Sequence, residues 1–151
     1  MTGYLTILDK LKAHFDADVM VTDITKGALD DIDLAKQTLF PLVHIIIGNA
    51  TFEPSVIRFS ITLFAMDIVN VSKDEVTDRF FGNDNEDYVL ETTLQILNRV
   101  YKQMNNGALF SDNFIVDGQP TCEPFTERFE NLLSGWAMTF DVIIPNEMTI
   151  C

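Results

Sequence analysis

The side chains best suited to chemistry are few in this sequence and lie far apart. The two histidines, His14 and His44, and the two cysteines, Cys122 and Cys151, have no Cys or His partner at the spacing of a zinc site. His14 is predicted to be a surface residue at the end of a helix, and His44 a structural residue inside an apolar strand. Both cysteines are interpreted as free thiols. The sequence therefore predicts neither a metal nor a cofactor.

The sequence also lacks the motifs of a phosphate-binding loop, a hydrolase nucleophile and a calcium-binding loop. The glycines are scattered singly, so no phosphate-binding loop is present. Ser134-Gly135 begins a strand and does not form the strand-to-helix turn of a hydrolase nucleophile. The acidic run Asp84 to Asp87 lacks the glycine and the distal glutamate of a calcium loop, and it suits a helix start better. These observations predict a protein that is not an enzyme. An enzyme with an unrecognised site remains an alternative.

Hydrophobic periodicity predicts the elements that position these side chains. Apolar residues recur at helical spacing in two segments, Tyr4 to Phe15 and Asp84 to Gln103. Alternating or continuous apolar residues predict strands at Leu42 to Ile47, Val56 to Val69 and Leu132 to Ile144. Shorter strand signals lie at Val19 to Ile24 and at Phe114 to Val116. Asp117-Gly118 is a turn signal, after which Thr121 to Phe125 would run back beside Phe114 to Val116.

The order of these elements predicts a fold class. Leu42 to Val69 is predicted to form a hairpin, with Gly48-Asn49 ending its first strand. Residues 1–151 are predicted to form a single α+β domain. Its antiparallel β-sheet would carry the two main helices on one face.

Acidic charge is the strongest feature of the composition. The chain has 151 residues and a net charge of −13. Such a surface repels phosphate backbones, so ordinary nucleic-acid binding is disfavoured. The charge either aids solubility or belongs to a surface that must face DNA without binding it. No apolar run reaches the length of a membrane span, and the N-terminal residues do not resemble a secretion signal, so no membrane association is predicted.

The C-terminal part carries a resemblance to a known family. The segments Phe125 to Phe129, Gly135 to Phe140 and Ile144 to Asn146 resemble the C-terminal portion of neck and tail-completion proteins of tailed bacteriophages. They are especially similar to the ring proteins of crAss-like phages. The order of hairpin and helix also resembles the tail-terminator fold, in which an antiparallel sheet carries helices and subunits close into a ring.

This resemblance implies a structural virion protein without catalysis. Such a protein is made in the bacterial host cytoplasm and incorporated into the neck or tail of the virion. Its partners would be copies of itself in a ring, the portal or other neck and tail proteins, and genomic DNA that passes through the channel without specific binding. An acidic module that mimics DNA and inhibits a host protein is the alternative function.

Candidate subunit contacts lie at two places. The end of the second hairpin strand is apolar on both faces, and its candidate interface residues are Phe64, Met66 and Ile68. Burial of this end by a helix of the same subunit is the alternative. The polar residues after the last strand supply the remaining candidates, which are Asn146, Glu147 and Met148.

Overall fold

The computed structural model describes residues 3–27, 41–68, 86–106, 115–128 and 133–146. Within these ranges, two helices, α1 and α2, and five strands, β1 to β5, follow one another. Their bounds are α1 Tyr4–Ala17, β1 Asp23–Lys26, β2 Leu42–Phe52, β3 Val56–Ile68, α2 Glu86–Asn106, β4 Ile115–Arg128 and β5 Leu133–Pro145. The predicted α2 residues Asp84 and Asn85 and the candidate contacts Glu147 and Met148 lie outside the described residues.

The five strands form one mixed sheet in the order β1-β2-β3-β5-β4. The pairs β2–β3, β3–β5 and β4–β5 are antiparallel, whereas β1 pairs with β2 in parallel. The prediction of a purely antiparallel sheet was therefore wrong at this edge. The physical reason is the long connection over residues 27–41, because a crossover of about a dozen residues lets consecutive strands run in the same direction. The α+β class is confirmed.

The hairpin β2–β3 is longer than its sequence predicted. Gly48-Asn49 does not end β2, because the strand continues to Phe52 after its register shifts between Ile47 and Ala50. This shift absorbs Gly48 and Asn49 as a bulge. The Glu53 amide donates to the Val56 carbonyl oxygen at 3.0 Å and closes the turn.

One large apolar cluster unites the helices with the sheet. The strand residues in it point to one face of the sheet, as the register of the three central strands requires. Its fully buried members include Phe15 and Leu11 of α1, Leu97 and Val100 of α2, and Ile61 of β3. Both helices thus share one core with the strands. Their placement on a single face and the likeness to the tail-terminator fold remain predictions.

The opposite face of the sheet has a smaller apolar cluster at one end. It consists of Leu42, Met66, Phe125 and Leu133, with Phe64 packed against it. Both faces of β3 are therefore buried near its C-terminal end, as the apolar pattern on both sides predicted.

The C-terminal strand β5 lies between β3 and β4 in the sheet and also contacts α2. The Trp136 indole Nε1 donates to the Leu90 carbonyl oxygen at 2.9 Å and connects the strand to the helix. A Cβ atom built on Gly135 would lie 1.9 Å from the Ala65 carbonyl oxygen, so this position requires glycine.

Candidate functional site

A large cleft in the described part of the chain lies between the C-terminal halves of α1 and α2. It has a volume of about 920 Å³ and is open to solvent. Its walls include Lys10 and His14 from α1, Arg99 and Lys102 from α2, and Val19 and Met20 from the turn after α1. The amphipathic pattern of each helix positions these residues, because the opposite faces bury Leu11, Phe15, Leu97 and Val100 in the core.

An ion pair joins the two helices at the edge of this cleft. The Arg99 guanidinium donates from Nε to Asp18 Oδ2 at 2.9 Å and from Nη2 to Asp18 Oδ1 at 3.0 Å. Asp18 Oδ1 also accepts the Met20 amide at 3.0 Å, which orders the turn after α1. The Asp18 side chain is only 5% exposed, whereas Arg99 is 39% exposed. This two-point contact holds the helices at a fixed separation.

His14 differs from the surface residue that its sequence position predicted. The residue is half-buried, and its Nε2 atom is shielded from solvent with no hydrogen-bond partner. Burial lowers the pKa of His14 below its usual value of 6.5. The nearby Asp18 carboxylate raises the pKa, but this effect is smaller than that of burial. The prediction of a surface residue was wrong in part, because His14 lines a cleft whose other wall, α2, is remote in the sequence.

The cleft concentrates positive charge in an acidic chain. Side chains of lysine and arginine are described at six positions, which are Lys10, Lys12, Lys26, Arg58, Arg99 and Lys102. Three of them line the cleft, against the two carboxylates Asp9 and Asp18. The cleft is therefore locally cationic, although the chain carries a net charge of −13.

His44 has the structural role that its apolar surroundings predicted. It is fully buried, and its Nε2 lies 2.8 Å from the Gly27 carbonyl oxygen. Because a carbonyl only accepts, Nε2 donates this bond, and in the neutral ring Nδ1 accepts from the Thr25 hydroxyl at 2.6 Å. The ring thus ties β2 to β1 and to the residue that follows it.

A second, smaller cavity of about 380 Å³ lies between α2 and β4 and is lined mainly by apolar atoms. Cys122 and Tyr101 are among its lining residues. Burial raises the pKa of the Cys122 thiol, which disfavours the nucleophilic thiolate. Within the described ranges, no group of three or more His, Cys, Asp or Glu side chains has an arrangement that would hold a metal ion.

The far end of the β2–β3 hairpin is strongly exposed. We define the hairpin arm as residues 48–57, which extend past the last β2 residue paired with β1. Every residue from Gly48 to Phe52 is exposed, and Phe52 retains 77% of its surface. Among the described strands, only β3 pairs with this part of β2, so its outer edge is open.

The other edge of the sheet is protected against pairing. Pro120 and Pro124 lie in β4 and have no amide hydrogen to donate. The predicted turn at Asp117-Gly118 was wrong, because β4 continues through it as one strand beside β5. Gly118 adopts a φ of 76°, and the register with β5 shifts between Asp117 and Thr121. Prolines and irregularities of this kind reduce edge-to-edge association of strands.

The exposed part of the sheet face opposite the main core is polar and acidic. Register places Ser60, Asp141 and Asp117 in one row and Thr62, Thr139 and Thr121 in the next. The Arg58 guanidinium donates to the Asp117 carboxylate, and this hydrogen bond raises the pKa of Arg58. Arg58 also lies 3.5 Å from Glu53, so a single described cation faces several carboxylates here.

The predicted subunit contacts fall into different environments. Met66 is fully buried within the chain, Phe64 is half-buried in the smaller cluster, and Ile68 is 38% exposed. Of these three, Met66 thus has no surface left for a neighbour. The Asn146 amide donates to the Ser55 carbonyl oxygen at 2.9 Å, which places the end of β5 beside the hairpin arm. The interface itself remains a prediction.

The sequence did not reveal the cleft or the arm. Asp18 and Arg99 are 81 positions apart, and no local pattern connects them. Phe52 is exposed at the end of β2 because this strand continues past Gly48-Asn49, where the turn signal predicted that it would end. The polar face of α2, with Arg99 and Lys102, was the one available signal, and it is equally typical of a solvated helix.

Comparisons with known proteins identify no family for this chain. No protein-family model matches it, and no curated protein is detectably similar to it in sequence. Neither described helix is both long and apolar enough to cross a membrane.

Proposed function

We propose that this chain is a structural virion protein that assembles with copies of itself into a ring in the neck or tail of a tailed bacteriophage. Its role there is to join head to tail around the DNA channel, without catalysis. The single observation that carries the proposal is the hairpin arm. It combines an open strand edge with a 77% exposed phenylalanine, and such a surface is typical of a protein–protein contact.

The position of the arm supports a ring. It belongs to β2 and β3, on the side of the sheet away from the protected edge strand β4. A contact surface on one side of a subunit can meet a different surface on the next subunit, and such heterologous contacts form a ring when the rotation between subunits closes. The resemblance of the segment from Phe125 to Asn146 to phage neck proteins supports a virion ring in particular.

The distribution of charge supports a DNA channel. Asp117, Glu123 and Asp141 lie on the polar sheet face, and the chain has a net charge of −13. A channel wall of this kind repels DNA, which then passes during packaging and ejection without adhering.

The described cavities support a role without catalysis. Cys122 lies in a mainly apolar cavity that raises its pKa, and both ring nitrogens of His44 are engaged in structural hydrogen bonds. His14 has Asp18 and Arg99 nearby, but these two residues are occupied with each other.

Electron microscopy of the purified full-length chain tests this function. The expected images show rings with a central opening, and the assembly should join a complex with a phage portal protein. Retention of double-stranded DNA on the assembly at physiological salt would instead favour a DNA-binding protein. Capture of a host nuclease or polymerase by a monomer would favour the inhibitor alternative.

A further inference from the structure

We propose that residues 147–151 of one copy bind as an added strand along the open outer edge of β2 in the next copy. This inference rests on the proposed self-assembly and names the two segments that meet. The receiving edge is defined as residues 46–52, which lie beyond the part of β2 that pairs with β1. The donated segment is defined as residues 147–151, which directly follow Asn146, the last described residue.

The receiving edge has the properties of a strand that accepts another strand. Among the described strands only β3 pairs with it, so every second residue directs its amide and carbonyl groups outward. No Asp, Glu, Lys or Arg occurs from Leu42 to Phe52, and the bulge at Gly48-Asn49 is the one irregularity in the pairing with β3. The opposite edge strand β4 has two prolines and two register shifts. Charges and prolines usually prevent pairing at an edge, so β2 is the edge that can bind an extended segment through its backbone.

The donated segment begins at the tip of the hairpin arm. The Asn146 amide donates to the Ser55 carbonyl oxygen at 2.9 Å, beside the turn that joins β2 to β3. Because β5 runs antiparallel to β3, its C-terminal end points past this turn. The residues after Asn146 therefore start next to the part of the arm that is exposed for contact with another copy.

Residues 147–151 are too short to pair along the receiving edge of their own chain. Three strand spacings of about 4.8 Å, or about 14 Å in total, separate β5 from the position of a strand added beside β2. Five extended residues span about 17 Å, so about one residue would remain for pairing after this crossing. A second copy that brings its tip beside the edge has no such crossing to make, and its whole donated segment is available for pairing.

The side chains of the donated segment match those of the receiving edge. Register places Ala50 and Phe52 on the sheet face that carries the main core, where Phe52 is 77% exposed. Met148 and Ile150 are two positions apart and would share one face of a strand. On the main-core face they cover Phe52, and methionine packs favourably against an aromatic ring on a neighbouring strand. Glu147, the one charged residue of the segment, then lies on the opposite face.

Charge and symmetry favour this pairing between copies. Each copy has a net charge of −13, so two copies repel one another unless the surfaces that meet carry little charge. The receiving edge has no charged residue and the donated segment has one, so this contact meets little direct repulsion. Each copy donates one segment and receives another at a different place, which is the heterologous arrangement of a ring.

Disulfide trapping between differently tagged preparations tests the pairing on the full-length chain. In a background in which both cysteines are replaced by serine, one preparation carries Ala50→Cys and the other carries Met148→Cys or Ile150→Cys. Thr149→Cys is the matched control, because it lies between these positions but would point to the other face of the sheet. We expect the faster of the M148C–A50C and I150C–A50C pairs to form its disulfide at least about tenfold faster than T149C–A50C, because pairing raises the effective concentration of thiols on one face.

Proline substitution provides a second readout, which reports on the backbone. In a strand, one of two consecutive residues directs its amide to a given neighbouring strand, and proline has no amide hydrogen to donate. At least one of Thr149→Pro and Ile150→Pro should therefore weaken self-association in sedimentation by about fivefold or more, as expected for the loss of one backbone hydrogen bond. Thr149→Ala, the matched control, should assemble like wild type. Circular dichroism confirms that each variant folds.

The outcomes distinguish this inference from the proposed function. If rings form but T149C traps as fast as M148C and I150C, and both proline variants assemble like wild type, the inference is overturned while the ring proposal stands. Rapid A50C–A50C trapping of a dimer, without trapping of the donated segment, would show that two receiving edges pair with each other and would also overturn it. A monomer at every concentration overturns both proposals. Preferential trapping of M148C or I150C together with weakened assembly of a proline variant supports the inference.

Discussion

Gly135→Ala is expected to destabilise the fold strongly, because the structure leaves no space for a side chain there. The new Cβ atom would lie 1.9 Å from the Ala65 carbonyl oxygen, and 2.9 Å from the Ala65 carbonyl carbon and from Met66 Cα. Cβ contacts in proteins essentially never fall below 3.0 Å, so β3 and β5 must separate by about 1 Å or more.

The magnitude of this effect follows from the position of the two strands. β3 and β5 pair over the whole of β3, from Val56 to Ile68, in the centre of the sheet. Overpacking costs about 1–3 kcal/mol, and each ladder hydrogen bond lost by separation adds about 1 kcal/mol. We expect a loss of about 3–4 kcal/mol in the free energy of unfolding. For a domain of this size, that loss lowers the melting temperature by roughly 6–16 °C.

Urea denaturation and thermal scans of the full-length chain measure this loss. Gly118→Ala is the matched control, since nothing lies within 4 Å of its new Cβ and only its φ of 76° opposes a side chain. That control should lose only about 1–2 kcal/mol. Equal stabilities for G135A and G118A would refute the steric argument and the tight β3–β5 contact on which it depends.

Three further predictions concern the cleft and its surroundings. Asp18→Asn keeps an acceptor for the Met20 amide but loses the charged contact with Arg99. Chemical denaturation should therefore show a free energy of unfolding about 1 kcal/mol lower than that of wild type, with a smaller difference at high salt. A difference that does not depend on salt would contradict a role for the ion pair. The pKa of His14 is below 6.5 in the folded chain, so on acidification the unfolded chain binds the proton first and wild type loses stability as the pH falls through about 6.5. Denaturation at each pH should therefore show that His14→Gln becomes more stable relative to wild type as the pH falls. A constant difference in stability between the two would contradict this prediction. Burial raises the pKa of the Cys122 thiol, so its alkylation in a Cys151→Ser background should be at least about tenfold slower in the folded chain than in urea. Equal rates would show that the thiol is exposed.

Local patterns predicted most of the elements because their signals are contained within one segment. The alternation from Val56 onward and from Leu132 to Ile144 predicted β3 and β5 to within about a residue at each end. The apolar residues at helical spacing that include Leu97 and Val100 predicted α2, because this face of the helix packs in the core.

The features that sequence patterns missed depend on contacts between distant segments. β1 has only four residues, and its parallel pairing with Leu42–Ile45 depends on the course of the connecting chain. The residues Gly48-Asn49 are typical of a turn, and they form a bulge only because β3 continues to pair with β2 beyond them. The position of His14 in a cleft depends on α2, more than 80 positions away, so no pattern around His14 predicts it.

The central claim is that copies of this chain assemble through a heterologous contact into a closed ring. Native mass spectrometry of the purified full-length chain over a range of concentrations tests it most directly. We expect one dominant oligomer with a fixed number of subunits. Phe52→Ser should shift it towards monomer, whereas Leu5→Ser should leave it unchanged. A monomer at every concentration, or an open series of masses without a preferred size, would contradict it.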